Sequence, residues 1–170
     1  MLAAAGSVTR SQAATSATAG GTTVMYDSVT PAAIPTHNAV ATYANGAYVA
    51  TGSERSRWSR VLWIDVMGDD PSADILDVEP GDASPASAAR WADHRLTGHP
   101  ARLAIIYTMR SEWSATRSAI AKLPAWMRSR VRWWIADPTG HPHLVRGSQA
   151  TQWYWGESYD ISTVSPALLH

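Results

Sequence analysis

Eight short runs rich in β-branched and aromatic residues punctuate the chain, and they constrain its fold more than any other feature. They cover 24–27, 39–44, 61–66, 74–79, 103–108, 132–137, 151–155 and 159–162. Gly, Pro, Asp and Ser bound them, so each reads as a strand. Several, such as Leu103-Ala104-Ile105-Ile106-Tyr107-Thr108, are nearly continuous apolar runs, the pattern of a strand covered on both faces. Only two stretches carry clear helical spacing. One starts at Ser84, a good N-cap, with Pro85 in the first helical position; Ala88, Trp91, Ala92 and Leu96 form its stripe, and Gly98 can end it. The other runs from about Ser111 to Lys122, with Trp113, Thr116, Ile120 and Leu123 on one face and Pro124 as the stop. A short turn at Ala125 to Met127 follows. Helices thus fall only after the fourth and fifth strands, and the last three strands leave no room for crossover helices. This order predicts an α/β fold: a small, incomplete (β/α)8 TIM-like barrel with helices lost around the last three strands. A mixed α/β sheet is the alternative.

The chain has 170 residues, 45% of them hydrophobic, which suits one domain with a packed core. Residues 1–22 are mostly Ala, Ser, Thr and Gly and read as a disordered leader; residues 23–170 form the expected domain. Ala17-Thr18-Ala19 is loosely cleavage-like, but no basic start and apolar stretch of an intact signal peptide precede it. Fourteen basic and fourteen acidic residues cancel, which argues against a nucleic-acid or anionic-membrane partner. With no Cys, thiolate chemistry and disulfides are excluded. No nucleophile elbow, phosphate loop, dinucleotide fingerprint or His-Glu-x-x-His is present. His141-Pro142-His143 lacks an evident third ligand, so no metal or cofactor is expected. Asp69, Asp70 and Asp82 fall in loops, where capping and turn roles are the plain reading; they could take a hard cation, but without EF-hand spacing.

The acids are not scattered. Asp27, Asp65, Asp77, Glu79, Asp137 and Asp160 all fall at or near strand ends. In Ile75-Leu76-Asp77-Val78-Glu79-Pro80, alternation puts Asp77 and Glu79 on one face and turns Leu76 and Val78 toward a covering helix. Two neighbouring carboxylates repel, which raises one pKa and suits a protonated acid beside an ionised partner. Glycoside hydrolysis needs such a pair. Asp65 and Asp137 read as structural, the latter in the turn Asp137-Pro138-Thr139-Gly140. Tyr26, Tyr43, Trp63, Tyr107, Trp133, Trp134, Trp153 and Trp155 cluster at the same ends, where core packing competes with sugar stacking; Trp91 and Trp113, on helical faces, read as core.

One ordered series of motifs spans most of the chain: Tyr26-Asp27, Leu76-Asp77-Val78-Glu79, Ile106-Tyr107-Thr108 with Trp113, Trp134-Ile135-Ala136, Gln152-Trp153 and Tyr159-Asp160-Ile161. It resembles the family-25 glycoside hydrolases, the lysozymes that cleave muramic-acid linkages in peptidoglycan. It is closer still to their actinobacterial and phage relatives, the glycoside-hydrolase-like barrel domains of unknown function. The resemblance implies a barrel of five helix-linked strands followed by three without helices. It implies catalytic roles for Glu79 as proton donor, Asp77 as its partner, and Asp27 and Asp160 as first- and last-strand acids. Tyr26, Tyr107, Trp134, Gln152 and Trp153 are the substrate-binding candidates. A monomer acting on peptidoglycan, secreted or phage-delivered to the cell wall, is the matching expectation. Two features depart from the muramidases: Asp27 and Asp77 are close in sequence, and the third strand reads Leu62-Trp63-Ile64-Asp65. The other expectation is a non-catalytic barrel that binds glycan or serves as an accessory module.

Because residues 1–22 offer almost no large apolar side chains, their removal is expected to change stability by less than about 1 kcal/mol. A thermal melt of the truncated chain beside the full one checks this; a drop of more than several degrees would show that the segment packs on the domain.

Overall fold

The structure is a computed structural model and describes residues 21–35, 39–58 and 60–169. The expected leader, apart from its last two residues, lies outside the described residues. Eight strands form a closed barrel in sequence order. They are β1 (Thr23–Asp27), β2 (Ala39–Tyr43), β3 (Arg60–Asp65), β4 (Ile75–Val78), β5 (Ala104–Met109), β6 (Val131–Ala136), β7 (Ala150–Tyr154) and β8 (Asp160–Val164). β1 to β7 run parallel. β8 is antiparallel to both β7 and β1.

This corrects the expectation of an incomplete (β/α)8 TIM-like barrel. The ring is complete, and strands dominate it. Of the five α-helices among the described residues, α1 (Gly52–Arg55), α4 (Ala125–Arg128) and α5 (Pro166–Leu169) have four residues each. Only α2 (Pro85–Leu96) and α3 (Arg110–Ile120) span several turns. The physical reason lies in the links. Those after β1 to β3 are rich in Pro, Gly, Asp and Ser, and among their described residues they carry no helix longer than the four residues of α1. The 155–159 link is shorter than the dozen or so residues a parallel crossover takes, so β8 must turn back.

Side chains alternate between two cores. Leu76, Val78, Ala104 and Ile106 point outward and bury Ala88, Trp91, Ala92 and Leu96 of α2 together with Ile120 and Met127. Met25, Ala41, Leu62, Ile64, Ile75, Ile105, Trp134, Ala150 and Val164 fill the barrel, joined by Leu168 of α5. A third cluster, Ile34, Val40 and Trp58, covers the outside of β2. α2 starts as its sequence dictates: Ser84 accepts from Ser87 N and Pro85 follows it. Among the described residues no helix is long and apolar enough to cross a membrane.

Two polar staples stand in for the missing helices around β3 and β4. Asp65 is fully buried and accepts five hydrogen bonds, from Asn45 Nδ2, the backbone N–H groups of Met67, Gly68 and Asp70, and Trp91 Nε1, at 2.8–2.9 Å. Arg95 reaches from the end of α2 to the carbonyls of Pro71, Ser72 and Ala73 and pairs with Asp74 at 2.8 Å.

Replacing Asp65 by Ala takes the acceptor from those five donors, of which Gly68 N–H and Trp91 Nε1 make fully buried bonds. The expected loss is about 3 kcal/mol or more, read as a lower urea-unfolding midpoint, with Asp65→Asn intermediate because it keeps one acceptor oxygen.

Candidate functional site

The parallel strands end at one rim of the barrel, and their inward-facing last residues are polar where the residues below them are apolar. Asp27 follows Met25 on β1, Tyr43 follows Ala41 on β2, Asp77 follows Ile75 on β4, Tyr107 follows Ile105 on β5, and Gln152 follows Ala150 on β7. β8 runs the other way, so its first residue, Asp160, reaches the same rim and stands opposite Asp27 in the ladder. Glu79, one step past β4, completes the set. Together these line a pocket of about 220 Å³, with Trp134 and Ile64 in its wall and Met109 and Trp155 beside them.

Gln152 organises the pocket. It is 2% exposed, yet all of its hydrogen-bonding capacity is used. Nε2 donates to Asp27 Oδ1 at 2.9 Å and to Asp160 Oδ2 at 3.4 Å. Oε1 accepts from the Tyr107 hydroxyl at 2.8 Å and from Trp155 Nε1 at 2.6 Å. Two donors on one side and two carboxylates on the other fix the amide orientation. Asp160 also accepts from Gly156 N at 2.9 Å.

No Lys, Arg or His lines this pocket. Its carboxyl groups face burial and one another without a counter-ion. Burial first, then Asp160 and Glu79, push Asp27 from an ordinary 3.8 up to about 8, against the pull of the Gln152 hydrogen bond. Burial, helped by Glu79, Asp82 and Asp27, lifts Asp77 well above the carboxylate range. Glu79 rises by burial and by Asp82 and Asp160, while the neighbouring Tyr107 hydroxyl opposes the rise. Asp160 rises by burial, moderated by the Gly156 N–H. Asp27 Oδ2 and Asp77 Oδ1 are buried without any partner. Glu79 and Asp160 are only half-buried, so a ligand in the pocket can reach them. The arrangement can store protons at neutral pH and deliver one to a bound oxygen.

The pocket therefore brings together Glu79, Asp77, Asp27, Asp160, Tyr107, Trp134 and Gln152. It does not include Tyr26 or Trp153. Tyr26 points outward from β1 and packs edge-on against Tyr159 at 5.2 Å. Trp153 sits at a bulge between β7 and β8 and packs on Tyr154. Tyr43 and Trp155, unassigned among the strand-end aromatics, line it instead. Alternation from Ala41 marks Tyr43; nothing in the sequence marks the bulge that frees Trp155. The acids read as structural lie elsewhere: Asp65 in its five-bond staple, and Asp137 between Arg110 at 2.9 Å and His143 at 3.0 Å.

No family model, no curated protein and no solved structure matches this chain.

A carboxyl group protonated more readily in the folded than in the unfolded chain takes up protons on folding. Its contribution is fully present below pH 4 and is lost as pH rises toward 8. Asp27→Asn removes this term. Urea titrations across that interval should show the variant losing less stability with rising pH than wild type, by up to about 1.4 kcal/mol for each pH unit.

Proposed function

We propose that this chain is a glycoside hydrolase acting on a cell-wall polysaccharide of the peptidoglycan type, by carboxylate acid/base chemistry. The observation that carries the reading is four carboxyl groups converging on one pocket that holds no cationic side chain. Glu79 is the proton donor: it is reachable, and burial keeps it protonated further up the pH scale than a free glutamate. Its proton goes to the glycosidic oxygen as the bond to the anomeric carbon breaks, and the positive charge that develops on the sugar ring is stabilised by ionised carboxylate. Asp160, half-buried and fixed by Gly156 N–H and Gln152, supplies that charge. Asp77 and Asp27, deeper in the pocket, are held protonated by burial and keep a reserve of protons beside Glu79. Trp155 is half-exposed at the mouth with its indole N–H tied to Gln152, which leaves its ring face free to stack on a sugar. The resemblance of the ordered motifs to those of the family-25 glycoside hydrolases supports the same substrate class.

A second reading, a glycan-binding module without turnover, draws on the small volume of the pocket and on the exposed Tyr154 and Trp155 beside it. Sedimentation with insoluble peptidoglycan, followed by assay of the supernatant for new reducing ends, separates the two readings.

Glu79→Gln keeps the shape of the side chain and removes its proton chemistry. Reducing-end release from peptidoglycan is expected to fall by about 100-fold or more with an unchanged thermal melt; equal turnover in variant and wild type would sink the assignment.

A further inference from the structure

The turn after β4 reads Asp77-Val78-Glu79-Pro80-Gly81-Asp82. Asp82 N donates to Glu79 O at 3.0 Å and closes a four-residue turn. Gly81, at φ 104, takes the third position, where side chains other than glycine are strained. The turn folds Asp82 back over the strand end, and alternation already puts Asp77 beside Glu79. One carboxylate oxygen from each of the three then lies within 4.8 Å of the others.

We infer that Asp77, Glu79 and Asp82 form a binding site for a divalent hard cation, with calcium the best fit. Three observations meet here. Calcium takes oxygen ligands at about 2.3–2.6 Å, so ligands on one ion stand no more than about 5 Å apart, and the trio meets that limit without movement. Magnesium dehydrates reluctantly and is usually held by one or two carboxylates with several waters kept, so three protein carboxylates suit it less. Independently, Asp77 is 4% exposed and its Oδ1 has no hydrogen-bond donor, a buried acceptor that a cation would satisfy. Finally, none of the ion pairs among the described residues involves these three acids, so no side-chain cation competes for them. All three ligands are carboxylates, which selects calcium or manganese over softer metals. Asp82 is exposed and Glu79 half-exposed, so water can complete the coordination sphere and the ion can enter from solvent. This revises the expectation of no metal, which rested on the missing third ligand beside His141 and His143, and it takes up Asp82, one of the loop acids that could take a hard cation without EF-hand spacing.

Binding follows from the geometry alone. Its consequence rests on the hydrolytic reading: calcium on Glu79 occupies the carboxylate that must carry the proton, so the loaded form does not turn over.

The full chain, freed of metal with EDTA and dialysed, is titrated with calcium chloride by calorimetry without substrate. The expected result is one saturable site with Kd on the order of 0.1–1 mM and a melting temperature several degrees higher at saturation. Magnesium chloride should bind at least about tenfold more weakly. Asp82→Asn, at an exposed position, should weaken calcium by about tenfold or more, and Asp69→Asn, outside the trio, should not. Absence of saturable calcium binding up to about 10 mM, or equal binding by Asp82→Asn, overturns the site. In a turnover assay, calcium binding with unchanged hydrolysis overturns only its coupling to Glu79, and a chain that binds calcium but never hydrolyses glycan overturns the hydrolytic reading and not the site.

Discussion

Everything distinctive about the rim of this barrel hangs on the amide of Gln152. A neutral group with two donors and two acceptors joins Asp27 on β1, Tyr107 on β5 and Asp160 on β8 to the indole of Trp155. Neutrality matters as much as geometry. An arginine in its place would hold the same carboxylates, but it would draw their pKa values down and leave two ionised acids in a salt bridge. The amide orders Asp27 and Asp160 without discharging them. A buried glutamine with any of its four bonds unmade would be a liability, so the barrel must bring all four partners to it.

The same residue type serves opposite ends in two places. Asp65 is as buried as any acid in the chain, but five donors surround it and it holds a loop. Asp27 and Asp77 are nearly as buried, and each leaves an oxygen with no donor. Stability is supplied by Asp65, Arg95 and the apolar clusters, and part of it is given up at the rim. Native structures leave few buried polar atoms unsatisfied, and those that remain ask for a functional explanation. A separation of roles between satisfied and unsatisfied carboxylates within one fold is the pattern expected when a site is held under strain by a sound scaffold.

How much of this the chain announces depends on whether the signal is local. Strand periodicity is local, so all eight strands appear within a residue or two of where their runs place them, and so do α2 and α3. Inward parity is also local once a strand is known: Asp77 must share a face with Ile75 and turn away from Leu76. Tyr26 illustrates the failure. It precedes Asp27, so alternation sends it out of the pocket that Asp27 enters, yet motif order alone made it a candidate. Ring closure and helix content are not local. They depend on whether the links after β1 to β3 cross as helices or as turns, and on β8 finding both β7 and β1. The bulge at Trp153 shifts the register between Gln152 and Tyr154, and no residue pattern marks it. The closeness of Asp82 to Glu79 is local too, since Pro80-Gly81 is a turn signature that brings the residue after it back over the strand end.

The reversal of β8 is what turns a row of strand-end acids into a pocket. Were β8 parallel to its neighbours, its last residue, Val164, would stand at the rim and Asp160 would lie at the opposite end of the barrel. The short 155–159 link forbids that arrangement, so the strand starts where the others finish and Asp160 meets Asp27 as a ladder pair. Like charges directly opposite in a sheet destabilise it. The pair persists because Gln152 donates to both acids and because protonation relieves the repulsion. A loop too short to carry a helix thus sets the direction of the last strand, the direction sets which end of it meets the site, and the resulting carboxyl pair gives the pocket its hold on protons.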